Sequence, residues 1–294
     1  MKLALKIDVD TYDGTRLGVP VLLDLLARHQ AAATFLFSMG PDRTGLAIRR
    51  VFRPGFLSKV SRTSVLQHYG LRTLLYGTLL PAPDIGRRCA PLLRQVAAAG
   101  FEVGVHCWDH ASWQDDLHRR GPEFAQQQQQ LAFDRFVQVF GFAPTVCGAA
   151  GWQSTDAALL QAQHLGYAVC SDTRGGAPFR PDVAGRALNA LQLPTTLPTL
   201  DELMGADGPA GDDPVAHLLS LTKVPGGDHV YTLHAELEGR RLAPWFERLL
   251  IGWRAQGYEF VSLGGLAAGL SRDSLPVRAV QTGTVAGRSG TLAV

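Results

Sequence analysis

Two carboxylates stand two residues apart in Asp8-Val9-Asp10, at the end of an apolar stretch that begins at Leu3. In an extended chain, residues two apart project to one face, so these charges share a side. Like charges held together away from water repel and drift towards protonation, so such a pair binds a cation or divides acid and base roles. The bland alternative is a pair of strand-end aspartates that caps a turn. A second cluster is His106-Cys107-Trp108-Asp109-His110. A spacing of four stacks both imidazoles on one face of a helical turn, where both reach one metal ion. With one aspartate they form a His-His-carboxylate set that leaves coordination positions open for water, as metal-assisted hydrolysis requires. One divalent ion is expected: Zn2+ by default, with Co2+, Ni2+ or Mn2+ also suited to mixed N/O ligands. His234 follows the apolar run Val230–Leu233 and could serve as a general acid; that position separates it from His29, His68, His118, His164 and His229.

These residues need elements that deliver them to one place. Short β-rich runs at Leu3–Ile7, Ala33–Phe37, Phe101–Val105, Pro144–Cys147, Tyr167–Cys170, Leu191–Leu193, Val230–Leu233 and Glu259–Ser262 read as strands. Helical patterns at Pro20–His29, Ile85–Ala99, Glu123–Phe140, Asp156–His164 and Pro244–Gln256 alternate with them, several ending at a glycine. That alternation is the α/β signature, and chemistry in such folds gathers at the carboxyl ends of the strands. Two stretches break the rhythm. Gly40–Pro83 is too long for a βα connection and should carry short amphipathic helices around Ile48–Ser61 and Ser64–Leu80. The tail from Ser271 to Val294 is rich in Gly, Ser and Thr and is expected to be loosely ordered and dispensable for chemistry. A single catalytic domain over residues 1–270, including the insertion at 40–83, is the expected organisation.

The net charge of +2 does not point to nucleic acid, and none is expected as a partner. The positive charge is local: residues 40–83 hold Arg43, Arg49, Arg50, Arg53, Lys59, Arg62 and Arg72 against one acid, Asp42. Interleaved apolar residues suit a segment resting on an anionic membrane surface, where each cation contributes about 1 kcal/mol; a solvated insertion packed on the domain is the plainer reading. Cys89, Cys107, Cys147 and Cys170 are dispersed without a C-x-x-C pair and read as reduced thiols. The N-terminus carries a charge inside its apolar run and reads as a strand, and no apolar run approaches the ~18 residues of a membrane span. A cytoplasmic or membrane-surface location follows as the expectation.

The D-x-D after the first strand, the H-x-x-x-H after the third and Leu233-His234 near the last strands resemble the polysaccharide deacetylases of carbohydrate esterase family 4. Their shared NodB homology domain implies an α/β fold, a distorted (β/α) barrel, here with an amphipathic helical insertion. The resemblance further implies Asp8 as catalytic base, Asp10, His106 and His110 as metal ligands, and His234 as general acid. Ile7–Thr11, Val105–His110, Ala149–Trp152, Ser171–Gly175, Pro178–Pro181, Leu197–Thr199 and His234–Gly239 are similar to one branch of this family, over roughly Lys2 to Leu270. That branch deformylates undecaprenyl-phosphate-linked 4-deoxy-4-formamido-L-arabinose. It implies a lipid-linked formamido sugar as substrate, a peripheral place on the cytoplasmic side of the bacterial inner membrane, and a part in lipid A aminoarabinose modification and polymyxin resistance. The alternatives are another polysaccharide or amino-sugar N-deacetylase of the superfamily and a catalytically inert carbohydrate-binding or membrane-adaptor protein on the same fold.

One departure concerns the base. The esterase family carries an Arg-Pro motif whose arginine supports it, whereas this chain has Gly148-Ala149-Ala150-Gly151-Trp152-Gln153, and Arg174 is the expected replacement. An oxyanion donor is expected among the backbone N–H groups near Ala149–Gly151, with Ala150, Gly151, Trp152, Asp172 and Arg174 around the oxyanion and substrate. Arg49, Arg50, Arg53, Lys59 and Arg62 are the expected membrane and lipid-phosphate contacts.

Overall fold

The computed structural model describes residues 1–47, 73–204, 213–223, 226–288 and 290–294. The first strand, β1 (Lys2–Val9), alternates strictly. Leu3, Leu5, Ile7 and Val9 point into the large apolar layer beneath the surrounding helices, while Ala4 joins the smaller cluster of Leu36, Val146, Val169, Leu193 and Val230. The second cluster is the packed interior of the barrel. The same alternation carries Lys6 and Asp8 to that interior side, above Ala4.

Around β1 the described residues form an eight-stranded parallel sheet. It contains β2 (Thr34–Ser38), β3 (Glu102–Cys107), β4 (Val146–Cys147) and β5 (Val169–Cys170). After a small side sheet of β6 (Arg180–Val183) and β7 (Arg186–Ala187) come β8 (Leu191–Gln192), β9 (His229–His234) and β10 (Glu259–Val261). The order β1-β2-β3-β4-β5-β8 curls round until the chain just past β8 meets β9: Thr196 donates its N–H to the Val230 carbonyl at 3.0 Å, and the Thr195 and Thr232 hydroxyls bond at 2.7 Å. Because β9 pairs with β1 along Leu3–Asp8, the circuit closes as a distorted (β/α) barrel.

All eight expected strands are present, and the helices Val19–Arg28, Pro122–Phe140, Asp156–His164 and Ala243–Ala255 lie where periodicity puts them. The helix expected over 85–99 is interrupted at Cys89, because Pro91 restarts it as Ala90–Ala98. In the insertion, the expected helix at 48–61 and most of that at 64–80 fall outside the described residues. From Thr73 the chain forms a single 3-10 turn, Thr73–Leu75, and a tight turn at Gly77 instead of a helix.

The tail is a correction. It is an ordered part of the domain: β11 (Val277–Arg278) pairs with β6, and β12 (Thr282–Gly283) pairs with β13 (Leu292–Ala293) in a hairpin. Leu292 and Ala293 are buried, and Arg174 donates its N–H to the Ala293 carbonyl at 2.9 Å. Two apolar residues at the end of a polar stretch carry this docking, and composition averages them away. No helix among the described residues is long and apolar enough to cross a membrane.

Candidate active site

The carboxyl ends of β1, β3 and β9 bring together the five residues expected to do chemistry. Asp8 pairs in register with His234 across β1 and β9, Asp10 follows β1, and His106 ends β3. His106 and His110 do not share a helical turn, contrary to expectation. His106 is still in the strand and His110 opens the helix His110–Asp116, so a strand-to-helix turn sets their ring centroids 5.3 Å apart. Asp109 fixes that turn as the helix N-cap. Its carboxylate accepts the Ser112 N–H at 3.1 Å and the Ser112 hydroxyl at 2.8 Å, and Arg43 braces it at 3.0 Å. Arg43, counted with the insertion's basic residues, is thus tied to Asp109 while its side chain stays partly exposed.

His106 Nε2 lies 3.1 Å from Asp10 Oδ1, and His110 Nε2 lies 3.3 Å from Asp10 Oδ2. The donor atoms of all three residues fall within 4.8 Å of one another. Asp10 Oδ1 and His106 Nδ1 are buried without a hydrogen-bond partner, so the close approach of the carboxylate to the ring lacks hydrogen-bond geometry. The atoms converge on a common point, as ligands of one cation do, and two imidazoles with one carboxylate fit a divalent ion. Burial opposes charge on Asp10, yet His110 and His106 hold its carboxyl well below the usual range. Burial likewise opposes charge on His106, whose pKa is nonetheless raised by Asp8 and Asp10.

A buried glutamate outside the expected set holds the loop that carries Asp10. Glu236 Oε1 accepts the N–H groups of Asp10 and Thr11 at 2.9 and 2.7 Å and the Thr11 hydroxyl at 2.8 Å. Its burial, then the charge of Asp10, pushes its pKa up to about 8. A Cβ at Gly14 would stand 2.0 Å from that oxygen, which is why a glycine faces it.

The cation beside Asp8 is Lys6, not Arg174. Lys6 Nζ lies 3.2 Å from Asp8 Oδ2, donates to the Ser171 carbonyl at 3.0 Å and stands 5.2 Å from the Trp152 ring centroid, with its side chain wholly buried. Arg174 instead turns to Glu202 and to the Leu197 carbonyl. Arg174 lies past the end of β5, bridged to Thr195, with its guanidinium 4.9 Å from the Trp152 ring centroid. Asp8 Oδ1 has no hydrogen-bond partner among the described residues. One oxygen of the carboxylate is anchored by Lys6, and the other lies 3.7 Å from His106 Nδ1.

Trp152 has φ of +52°, strained for a side chain of its size. Its indole N–H donates to Thr195 Oγ1 at 3.1 Å, and its ring lies edge-on to His234 with centroids 6.5 Å apart. Asp172 stands behind this wall: it accepts the Ala149 N–H at 2.8 Å and the Gln192 amide at 2.7 Å, and its burial raises its pKa. The Ala149 N–H is therefore engaged, which leaves Ala150 and Gly151 of the expected oxyanion donors. His234 Nδ1 is 4.0 Å from Asp201 Oδ1, and its backbone N–H donates to Glu238 at 2.9 Å. Burial works against a charged ring, but Asp201, then Asp10, Glu238 and Asp8, push His234 up to about 9. Arg49, Arg50, Arg53, Lys59 and Arg62 lie outside the described residues.

Lys6, Glu236, Asp201 and Arg288 complete the site and were missed in the sequence. One signal was available, since a lysine inside the apolar run Leu3–Val9, two residues before an aspartate, must be buried with a partner.

Known proteins resemble this chain in sequence and in fold. A curated relative from Shewanella sediminis (strain HAW-EB3), named "Probable 4-deoxy-4-formamido-L-arabinose-phosphoundecaprenol deformylase ArnD", is 41% identical over 263 residues, covering 89% of this chain and 84% of the relative. This chain belongs to the ArnD deformylase family. A second ArnD relative, from Wigglesworthia glossinidia brevipalpis, is 30% identical over 281 residues, covering 95% of this chain and 97% of its own length. This chain also superimposes on a polysaccharide deacetylase structure from Mycobacterium smegmatis with a TM-score of 0.63 at 16% identity, covering 97% and 96% of the two chains, which establishes the shared fold. No family model matches the chain. Family membership makes it an enzyme that hydrolyses a linear amide C–N bond.

Proposed function

We propose that this protein is a divalent-metal-dependent deformylase acting on undecaprenyl-phosphate-linked 4-deoxy-4-formamido-L-arabinose, at the cytoplasmic side of the inner membrane, in lipid A aminoarabinose modification. The observation that carries the reading is the convergence of Asp8, Asp10, His106, His110 and His234 at one end of the barrel, in a chain 41% identical to a relative named for that reaction.

Asp10, His106 and His110 would hold the ion, which supplies Lewis acidity towards the formyl oxygen and lowers the pKa of water. Asp8, anchored through Oδ2 by Lys6, presents Oδ1 to take a proton from the attacking water. A backbone N–H of Ala150 or Gly151 would donate to the oxyanion. His234, whose pKa is raised first by Asp201, would give a proton to the departing sugar amine. Formate and a free amino sugar result.

The cations of the insertion supply the membrane contact, and their arginines suit the phosphate of the lipid carrier. Sedimentation with anionic vesicles, lost when Arg49, Arg50 and Arg53 are changed to glutamate, tests that part by itself. The deciding experiment is formate release from the lipid-linked formamido sugar by detergent-solubilised protein, with and without chelator, beside an acetylated chito-oligosaccharide. Chelator-sensitive formate release with an inert oligosaccharide supports the assignment. Deacetylation of the oligosaccharide alone transfers it to a general polysaccharide deacetylase.

A further inference from the structure

The C-terminal hairpin reaches the active site, and its tip carries Arg288. The guanidinium lies 4.2 Å from the Trp152 ring centroid, bonds Glu202 through Nε and lies 3.4 Å from Asp201 Oδ2 through Nη2. Glu202 is buried and fixed from its other side, where Oε2 accepts the Thr199 N–H at 3.0 Å in a capping box. The neighbouring Gly287 has φ of +81°, and a Cβ there would stand 2.5 Å from the Glu202 carbonyl oxygen, so the chain is shaped to bring the tip this close. The hairpin is latched by the Arg174 N–H on the Ala293 carbonyl and the Gln153 amide on the Thr291 carbonyl at 2.7 Å. Asp201 therefore stands between Arg288, which donates to Oδ2, and His234, whose Nδ1 faces Oδ1 across 4.0 Å without a hydrogen bond.

We propose that Arg288 is a positioning residue for the proton donor: the C-terminal hairpin completes the catalytic unit by holding Asp201 in place against His234. This rests on the reading of His234 as the group that protonates the leaving amine. The charged groups facing His234 are Asp201 from the short helix Leu200–Leu203, Asp8 and Asp10 from the β1 end, and Glu238 from its own turn, with the Trp152 edge closing the remaining side. Of the acids, Asp201 is held by the tail's arginine. Arg288 also neutralises part of the charge on Glu202, which Arg174 shares.

The test uses the full chain with Arg288→Gln and Arg288→Lys. The His234 titration is followed by NMR of labelled imidazole carbons, alongside metal content, KM and the pH–rate profile. A released Asp201 no longer faces the ring, so Arg288→Gln lowers the His234 pKa and moves the alkaline limb of kcat to lower pH. It also cuts kcat by about 10- to 100-fold with metal content and KM little changed, and Arg288→Lys restores part of the loss. A rise in the His234 pKa in Arg288→Gln, the result if Arg288 were only a nearby positive charge, overturns the proposal. So does an unchanged titration, or a defect confined to KM. The NMR titration is read without substrate, so a wild-type protein inactive on the formamido sugar would count against the functional reading and not against this one.

Discussion

Lys6 Nζ lies 3.2 Å from Asp8 Oδ2 with both side chains shut off from solvent, so the proposed base is half of a buried ion pair formed within one strand. Removing one partner of such a pair leaves an uncompensated buried charge and typically costs about 3–5 kcal/mol. Lys6→Met is therefore expected to lower stability by about that amount in urea unfolding and to cut formate release by at least about 100-fold. Wild-type turnover in a folded Lys6→Met protein would remove the lysine from the mechanism.

Room for that lysine is made on the facing strand. A Cβ at Gly148 would stand 2.6 Å from Leu36 Cδ1 and 3.0 Å from Lys6 Cε. Gly148→Ala is expected to cost about 1–3 kcal/mol by overpacking and to reduce kcat more than KM. Denaturant titration and steady-state kinetics measured together check both halves.

Ligand and base roles separate by metal analysis. His110→Ala and Asp10→Ala should lose the ion, read as metal content after dialysis. Asp8→Asn should keep it while turnover drops by about 100- to 10,000-fold. An active Asp8→Asn enzyme would refute the base assignment.

Asp109 acts on the metal only through the helix it caps. Asp109→Ala should destabilise the fold by about 1 kcal/mol and weaken metal affinity by about 10- to 100-fold, because His110 is the first residue of that helix. Calorimetric titration of metal-free protein with zinc gives the second number directly.

The pH dependence follows from His234. Its pKa is raised to about 9, so the charged, proton-donating form is present at neutral pH and is lost as pH rises through that value. Activity should fall on the alkaline side of the profile. Asp201→Asn removes the first of the charges that raise this pKa and should move the limb to lower pH. A limb unmoved by that change would assign it to another group.

Much of this protein was legible in its residues because the signals are local. Alternation along Leu3–Val9, β-rich runs between helical patterns and the D-x-D and H-x-x-x-H spacings depend on neighbours a few positions apart, and they gave the strands, the α/β alternation and the residues at the strand ends, while the barrel was implied by the resemblance to the polysaccharide deacetylases. What the sequence did not determine is which distant groups meet. Arg174 and Lys6 were both candidates for Asp8, and the tertiary fold sets Lys6 against Asp8 and Arg174 against Glu202. The polar tail looked loosely ordered on composition, yet Leu292, Ala293 and the glycine before Arg288 bring it onto Asp201 and Glu202, 87 and 86 residues back in the chain. Such contacts depend on closing the barrel first, because a buried cation or carboxylate takes whatever counter-charge the tertiary fold places within reach.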